Sequence, residues 1–232
     1  MFYIDENGIV YPLGAKLLRD SRIELIPGTT DISDTIEGMH GEISHGSRYE
    51  PREFSLHMAI DCPPKERGSV KRKIAKALQP SIFQPQSLEF ADDLGKVYYV
   101  KYIGEMSSVE YMDGLEFTVP FKVSRVFAEG VEKVHMGSGI LQNEGDVETP
   151  VVVEVVGTIS NPSISIAGES LKYTGTLSST STLIIDTGKM TVTFNGCNAM
   201  HRFDGGFPFL QQGETAVTAP DNATFRWRDR WL

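Results

Sequence analysis

The amino-acid sequence predicts a mainly β protein with two domains, an N-terminal β-sandwich that carries one helix and a C-terminal antiparallel β-sandwich. Apolar and polar residues alternate with a period of two in many short segments, which is the pattern of half-buried strands. Only one segment has a helical period. A Gly-rich, acidic stretch at 136–149 separates these two parts.

In the first domain, strands are predicted at 52–61 and 115–123, where every second residue is apolar and one face would be buried. The segment 96–103 is rich in β-branched and aromatic residues, so we expect it to pair with a neighbouring strand. Pro120 has no amide hydrogen and is expected at a sheet edge or a bulge. The turn signal Asp113-Gly114 predicts a hairpin with the residues just before it.

The helix is predicted over residues 70–78, where Val70, Ile74 and Leu78 recur at i, i+4 and i+8. Ser69 is the expected N-cap, and Pro80 follows the last apolar position. Lysines and arginines cover the other faces, a composition that also occurs in helices that bind membrane surfaces or nucleic acid. The apolar stripe is short and has no large aromatic residue, which favours a basic face exposed to solvent.

Residues 28–48 form a polar, acidic segment interrupted by four glycines. Structureless connections longer than about 12–15 residues are usually functional or mobile in a compact domain. We therefore expect a projecting arm or a long hairpin that contributes nothing to the core. Such an arm could reach a neighbouring subunit, and a plain surface loop is equally compatible with these residues.

The boundary in the Gly-rich stretch predicts a first domain at 1–145 and a second domain at 146–232. The second domain has no helical pattern, and its apolar segments are separated by turn signals such as Asn161-Pro162 and Asn195-Gly196. Regular, closely spaced strands of this kind are typical of an antiparallel sandwich or jelly roll. The predicted strands are 151–156, 163–166, 171–174, 182–185 and 190–194.

Charge and composition exclude several classes of protein. The chain has 22 Lys+Arg against 31 Asp+Glu, a formal charge of −9, which argues against a general nucleic-acid binder. No apolar run is long enough to span a bilayer, and the start of the chain is acidic where a secretory signal would be basic. We therefore expect the protein to stay inside the cell that makes it. Cys62 and Cys197 are far apart and predict no disulfide framework.

The sequence predicts no enzyme, and no catalytic, cofactor or metal site. The nucleophile elbow, the phosphate-binding loop and the paired histidines of zinc proteases are all missing. Several isolated residues of suitable chemistry are better explained as surface or turn residues, or for Cys197 as a buried thiol, because none has the spacing that a site needs. They are Cys197 with His201, His40 with His45, Asp92-Asp93, Glu144 with Asp146, and the glycosylation-type triplet Asn222-Ala-Thr224.

The final strand has two contrasting faces. Arg226, Arg228 and Arg230 share one face, and Phe225, Trp227 and Trp231 share the other. Exposed aromatic residues on a β-sandwich can stack on sugar rings, whereas buried ones form a core or an interface. Buried strand faces are the commoner case, so we favour the core or interface.

Several segments, taken in order over nearly the full length, resemble a known family. They are 52–58, the end of the helix at 74–80, 97–105, 117–124, the turn at 206–215, and the aromatic and basic ending at 227–231. Their order and spacing are similar to those of the distal tail (Dit) proteins of siphovirus-type bacteriophages and prophages of Gram-positive bacteria.

This resemblance implies a structural protein of the phage tail tip, assembled in the host cytoplasm. The first domain would form a homo-hexameric ring, a hub that joins the tail tube protein to the tail-tip or baseplate proteins and lets DNA pass through its channel. The second domain would be a galectin-like sandwich outside the ring, and receptor-binding proteins are a further implied partner. The segment 28–48 becomes a candidate contact between subunits.

Two other functions remain as alternatives. The first is a carbohydrate-binding module that recognises host cell-wall polysaccharide through Trp227 and Trp231. The second is a wall-degrading hydrolase, which would need a cleft with converging carboxylates or a metal. The second domain is too short to hold an additional inserted carbohydrate-binding module, so direct recognition of the host by this chain is not expected.

Overall fold

The chain folds into two compact units in a computed structural model that describes residues 1–38 and 40–232. The first unit comprises Met1–Ala128 with Leu232, and the second comprises Glu129–Trp231. None of the helices among the described residues is long and apolar enough to cross a membrane. The prediction of a mainly β fold with a single α-helix is confirmed.

The first unit contains eleven strands, one helix and a 3-10 turn at Ala91–Asp93. In chain order they are β1 (Phe2–Ile4), β2 (Ile9–Tyr11), β3 (Ala15–Leu17), β4 (Arg22–Ile23), β5 (Thr29–Asp34), β6 (Ile43–Tyr49), β7 (Glu53–Asp61), α1 (Arg67–Phe83), β8 (Gln86–Phe90), β9 (Tyr98–Tyr102), β10 (Ser107–Glu110) and β11 (Gly114–Val123).

Seven of these strands close into a barrel, in the order β11-β9-β8-β1-β2-β3-β7. The closure is the antiparallel pairing of β7 with β11, which runs from Asp61↔Gly114 to Glu53↔Lys122. This differs from the sandwich predicted for the first domain. An alternating strand buries one face in either architecture, so its period of two does not reveal whether the sheet closes on itself.

The barrel core is built from the alternating residues that the sequence indicated. Phe54, Leu56 and Met58 of β7 are buried, as are the corresponding apolar residues Phe117, Val119 and Phe121 of β11. Burial of one such side chain contributes about 1.5–3 kcal/mol. The alternation therefore fixes which face of each strand lies inside the barrel.

Helix α1 packs on β9 through the buried residues Ile74 and Leu78. It is longer than predicted, because it begins at Arg67 and continues through Pro80 to Phe83. Ser69 is not the N-cap: its hydroxyl donates to the carbonyl of Glu66, 2.7 Å away. Pro80 removes one amide hydrogen, but the turn continues because the Gln84 amide donates to the Pro80 carbonyl at 3.1 Å.

Pro120 lies within β11 at a gap between two neighbouring strands. On that side of β11, β10 pairs with residues 115–118 and β9 pairs with residues 121–123. The Pro120 carbonyl accepts a hydrogen bond of 3.1 Å from the Ile103 amide. Because no strand pairs with Pro120 there, the missing amide hydrogen leaves no ladder bond unmade. Pro120 therefore does not lie at a sheet edge or a bulge, as predicted, but at a local gap between β10 and β9.

The hairpin predicted around Asp113-Gly114 is confirmed. Strands β10 and β11 pair antiparallel, with Glu110 opposite Leu115. The Tyr111 amide donates to the Gly114 carbonyl at 3.0 Å and closes the turn.

The second unit contains the remaining thirteen strands and a 3-10 turn at Met200–Arg202. The first seven are β12 (Ala128–Met136), β13 (Gly139–Asn143), β14 (Val151–Val156), β15 (Ile159–Ser160), β16 (Ser163–Ile166), β17 (Glu169–Tyr173) and β18 (Thr176–Leu177). The other six are β19 (Thr182–Asp186), β20 (Thr191–Phe194), β21 (Cys197–Asn198), β22 (Phe203–Gly205), β23 (Gly213–Thr218) and β24 (Ala223–Trp231).

Two antiparallel sheets form most of this unit. The first has the order β12-β24-β14-β19-β20-β21 and the second has the order β13-β23-β16-β17-β22. A single hydrophobic cluster fills the space with side chains from both sheets, including Val153, Ile164, Leu183 and Phe225. This is the antiparallel sandwich that the regular strand spacing indicated.

The boundary between the units lies earlier in the chain than the expected division at 145/146. Strand β12 lies beside β24, and β13 pairs with β23, so both belong to the sheets of the second unit. The Gly-rich stretch at 136–149 is therefore a tight turn and a strand of the sandwich. Glycine and acidic residues are common in turns as well as in linkers, so their presence did not distinguish the two.

Candidate assembly site

The segment predicted as a projecting arm is a two-stranded hairpin. Strands β5 and β6 pair antiparallel from Thr29↔Tyr49 to Asp34↔Ile43, with an irregularity after Ile32. All residues of the two strands are exposed. The expectation of an arm or long hairpin outside the core is thereby confirmed, while residue 39 lies outside the described residues. We refer to residues 29–49 as the arm.

The arm exposes several large apolar side chains. Ile32 is 50% exposed, and Ile36, Ile43 and Tyr49 also face solvent. Single exposed apolar residues are normal on a protein surface. The Tyr49 ring also packs edge-on against Phe127, with ring centres 5.2 Å apart. The concentration of apolar side chains on a hairpin whose strand residues all remain exposed is typical of a surface that contacts another molecule.

Polar side chains link the two strands of the arm. The imidazole Nε2 of His45 lies 3.0 Å from a carboxylate oxygen of Asp34, and the Ser33 hydroxyl donates to Glu42 at 2.6 Å. The Ser47 hydroxyl donates to Asp31. Exposed pairs of this kind are worth little individually, so they order the hairpin more than they stabilise the fold.

Arg52 fixes the base of the arm to the barrel. Its side chain is 1% exposed, and its Nη1 donates to the Leu25 carbonyl at 3.0 Å. Its Nε and Nη2 donate to the Val126 carbonyl at 3.2 and 3.0 Å, and the guanidinium lies 5.2 Å from the centre of the Tyr98 ring. Desolvation raises the pKa of Tyr98. Sequence reasoning placed Arg52 at the start of a strand and missed this role, because its partners are carbonyl groups remote in sequence.

The exposed surface of α1 is strongly basic. Arg67 contacts Glu110 at 3.2 Å and Lys71 also pairs with that carboxylate, which lowers the pKa of Glu110 through the hydrogen bond from Lys71. Arg72 and Lys76 are exposed, and they form no hydrogen bond or ion pair within the described chain. At the end of the helix, Phe83 is 75% exposed.

The aromatic face of β24 belongs to the core of the second unit. Trp227 is only 7% exposed, and its indole Nε1 donates to the Gln142 carbonyl at 3.3 Å. Phe225 is fully buried, and Trp231 is partly buried against Gly130, where an added Cβ would lie 2.7 Å from its ring. The core interpretation is confirmed for Phe225 and Trp227, which leaves Trp227 unable to stack on a sugar.

A buried carboxylate interrupts this aromatic face. Asp229 is 1% exposed and its carboxylate lies 2.6 Å from Nζ of Lys133. Lys133 also contacts Glu144 at 2.8 Å. Desolvation acts to lower the pKa of Lys133, but the two carboxylates outweigh it and raise that pKa. Glu144, considered above as one of a carboxylate pair with Asp146, therefore neutralises a lysine.

The other isolated residues of suitable chemistry are also dispersed. Asp93 pairs with Lys96 at 2.9 Å, and the Asn222 side-chain amide donates to the Val156 carbonyl at 2.7 Å. His201 is exposed as expected, but the prediction of a buried thiol at Cys197 is wrong, since Cys197 lies exposed on β21 at the edge of its sheet. Among the described residues, no group of three or more histidine, cysteine or acidic side chains is arranged to hold a metal ion.

A shallow pocket of about 560 Å³ opens on the second unit beside His201. The Phe203 ring stacks on Phe207 with ring centres 5.2 Å apart. Neither Arg202 nor Asp204 forms a side-chain ion pair in the described part of the chain, although both line the pocket. Its lining is Thr174, Gly175, His201, Arg202, Phe203 and Asp204.

Two family models match successive parts of the chain. Residues 11–123 match the phage tail protein RIFT-related domain. Residues 144–231 match the C-terminal domain of the siphovirus-type tail component. The first range lies within the first structural unit and the second range lies within the second. Among curated proteins, none matches this chain in sequence.

Solved structures share the fold. The Dit protein of phage SPP1, described as a paradigm of the hub adsorption apparatus in phages that infect Gram-positive bacteria, superposes with a TM-score of 0.73. The two sequences are 15% identical over 94% of each chain. A chain of the phage P2 baseplate in its activated conformation with calcium has a TM-score of 0.43 and 7% identity over 95% of this chain and 93% of that one, a similarity too weak to support an argument.

Proposed function

The chain belongs to the distal tail (Dit) family of siphovirus-type bacteriophages, and on this premise we propose that it is a structural hub of the phage tail. Six copies would form a ring that joins the tail tube to the tail-tip or baseplate proteins, with DNA passing through the central channel. The observation that carries the proposal is the match of both units, in order, to siphovirus tail families.

The arm supports assembly into a ring. It exposes apolar side chains along both strands, while Arg52 and the contact of Tyr49 with Phe127 hold its base to the rest of the unit. A rigidly based arm that reaches one neighbour makes a head-to-tail contact, and such contacts close into a ring when the rotation between subunits permits it.

The charge of the chain is compatible with a conduit for DNA. At −9 per chain, six copies carry −54 in total. Like charges repel the DNA phosphates, so DNA would pass without being held. In this role the protein needs no active site, and we propose that it is not an enzyme.

The proposed hub function also implies which proteins this chain contacts and where in the virion it is located. One face of the ring would contact the tail tube protein, and the opposite face would contact the tail-tip protein. The second unit, as a galectin-like sandwich outside the ring, would be available to receptor-binding proteins. The protein would be assembled in the host cytoplasm and reside at the tail tip of the virion.

Light scattering combined with electron microscopy tests the ring. We expect a particle of six times the 25.7 kDa chain mass, with an annular projection in negative stain. The measurement is made on the full chain from low to high micromolar concentration. A monomer whose mass does not change with concentration, and that shows no rings, would contradict the proposal.

The pocket beside His201 favours a second candidate function, the binding of saccharide. An aromatic ring can stack on the apolar face of a sugar, while a neighbouring cation and carboxylate bond its hydroxyl groups. Phe203, Arg202 and Asp204 supply these groups, and the volume of about 560 Å³ lies within the range of small-molecule sites.

Calorimetric titration with a host cell-wall polysaccharide tests this second function. If the pocket binds saccharide, Asp204→Ala should weaken binding at least tenfold, since the sugar hydroxyls lose their acceptor. Asp221→Ala, a change of the same kind at an exposed residue outside the pocket, should not. Absence of binding to the unmodified chain, or equal binding by both variants, would exclude the pocket as a saccharide site.

A further inference from the structure

We propose that the arm of one copy docks on the exposed face of helix α1 of the next copy in the ring. The inference rests on the proposed function, because a ring places a second copy of the chain beside each copy. It identifies the surface of that second copy which the arm contacts. It is carried by three observations: the side chains on the free face of α1, those on one face of the arm, and the distribution of charge along the chain.

The free face of α1 combines two cations with a large aromatic residue. At 3.6 residues per turn, Arg72, Lys76 and Phe83 lie within about 40° of one another around the helix axis, opposite the buried Ile74 and Leu78. All three are exposed. Neither Arg72 nor Lys76 has an acidic partner among the described residues, so both cations are available to a neighbouring chain.

One face of the arm combines an acid with apolar residues. On β6, Ile43 lies directly opposite Asp34, whose carboxylate contacts the imidazole of His45. Ile32 precedes Asp34 by two positions on β5, across the pairing irregularity that follows Ile32, so these three residues lie close together. All three are exposed. Beyond β5, the loop adds Ile36 and Glu37. This face therefore presents apolar and acidic groups where α1 presents an aromatic and basic ones.

The distribution of charge favours α1 over the other surfaces of the chain. The arm holds Asp31, Asp34, Glu37 and Glu42 against Arg48, a net charge of −3. Residues 67–83 hold five basic side chains and no acidic one, a net charge of +5. Without the helix, the rest of the chain sums to −14, since −9 minus +5 is −14. An acidic arm is attracted to the helix and repelled by the surfaces that carry this negative charge.

The two elements also agree in length. The five residue steps of β5, from Thr29 to Asp34, span about 17 Å at the rise of a strand. The eleven residue steps from Arg72 to Phe83 span about 16 Å at the rise of a helix. Within one chain, no hydrogen bond or ion pair among the described residues joins the arm to α1. Since these bonds do not join the two elements within one chain, we place their contact between neighbouring copies.

Reversal of charge on the two elements tests the contact. Arg72→Glu with Lys76→Glu places two acids opposite the acidic arm, and Asp34→Lys with Glu37→Lys places two cations opposite the basic helix. We expect each pair to reduce the assembled fraction at least tenfold at a concentration where the unmodified chain is fully assembled. The four changes together should restore assembly, because the attraction returns with its sign exchanged. Light scattering provides the assembled fraction.

A matched control separates this contact from the effect of total charge. Lys16→Glu with Lys172→Glu changes the net charge by the same amount as the helix pair, at exposed residues outside the arm and α1. This control should assemble as the unmodified chain does. If the helix pair assembles equally well, or if the four changes together fail to restore rings although the folded chain is intact by circular dichroism, the inference is wrong.

Chemical cross-linking distinguishes a failure of the proposed contact between the arm and α1 from a failure of the proposed hexameric hub. Two variants are mixed, one with Asp34→Cys and the other with Lys76→Cys, both with the exposed Cys197 changed to Ser, and a short bismaleimide is added. We expect a covalent dimer in the mixture and at least tenfold less in either variant alone. Rings without this dimer would overturn the inference and leave the hub. The dimer without rings would support the contact and contradict the hub, and loss of both would overturn both.

Discussion

Arg52 illustrates how one buried polar residue connects a local segment to the rest of a unit. Its guanidinium satisfies the carbonyls of Leu25 and Val126, which belong to chain segments before the arm and after β11. A buried cation is tolerated only when its donors are paired, and here all three donating nitrogens have a carbonyl acceptor. Arg52 therefore holds the base of the arm in place.

Replacement of Arg52 should destabilise the protein substantially. Arg52→Ala removes the donors to two carbonyls and leaves a cavity beside Tyr98, so we expect a loss of about 2–4 kcal/mol in the free energy of unfolding. Urea unfolding followed by fluorescence measures this change. Arg48→Ala is the matched control, because Arg48 pairs with Glu50 at the surface, at 3.1 Å, and its loss should cost less than about 0.5 kcal/mol. Equal effects of the two changes would contradict the assigned role of Arg52.

At the scale of the element, the arm and α1 are regular structures that are stabilised in different ways. Helix α1 is stabilised by packing, since Ile74 and Leu78 are buried against the barrel. No residue of the two arm strands is buried, and two strands alone are marginally stable in water. Its conformation depends on its anchored base, where the Glu50 amide donates to the Gly28 carbonyl at 2.7 Å.

Shortening the arm should abolish assembly into rings without unfolding the protein. Residues 31–47 are replaced by Asn-Gly, a two-residue turn that suits the pairing of Thr30 with Arg48. Because every described residue removed is exposed, the free energy of unfolding should change by less than about 1 kcal/mol. The variant should form no rings, whereas the Asp221→Ala chain, changed at an exposed residue of the second unit, should assemble normally. A shortened chain that still forms rings would show that the arm is dispensable.

At the scale of the whole molecule, acidic residues held by specific partners make stability depend on pH. The His57 hydrogen bond lowers the pKa of Asp20, and the Lys71 hydrogen bond lowers that of Glu110. Desolvation opposes this shift at Asp186, but hydrogen bonds from Lys189 outweigh it and lower the pKa of Asp186 as well. Each of these carboxylates binds a proton less readily in the folded state than in the unfolded one.

Stability should therefore fall in acid. A carboxyl group with a lowered folded pKa stabilises the protein fully above its ordinary pKa, here 3.8 for aspartate and 4.5 for glutamate, and this stabilisation is lost as the pH falls through the folded value. We expect a constant urea midpoint between pH 7 and about pH 5, with a decline below about pH 4. Asp186→Asn should make the decline of the second unit shallower. A midpoint that is unchanged down to pH 3 would contradict this linkage.

Much of the local structure could be predicted from the sequence. The alternation at Phe54, Leu56 and Met58 identified a buried strand face, and the same reasoning placed Phe225 and Trp227 in a core. Periodicity reports which side chains are buried because it reflects the geometry of a single element. It missed the end of α1 beyond Pro80, since continuation there depends on packing and hydrogen bonds that the proline alone does not reveal.

By itself, the sequence determined the β class, the single helix, the hairpin at Asp113-Gly114 and the excess of acidic charge. The tertiary structure decided that the first sheet closes through β7 and β11, that Arg52 anchors the arm, and that Asp229 is buried on the face otherwise formed by aromatic residues. Local patterns depend on neighbours a few positions away, so they can be predicted from the order of residues in the sequence. Closure of a sheet and the pairing of buried charges depend on residues tens of positions apart, so only the folded chain brings the responsible groups together.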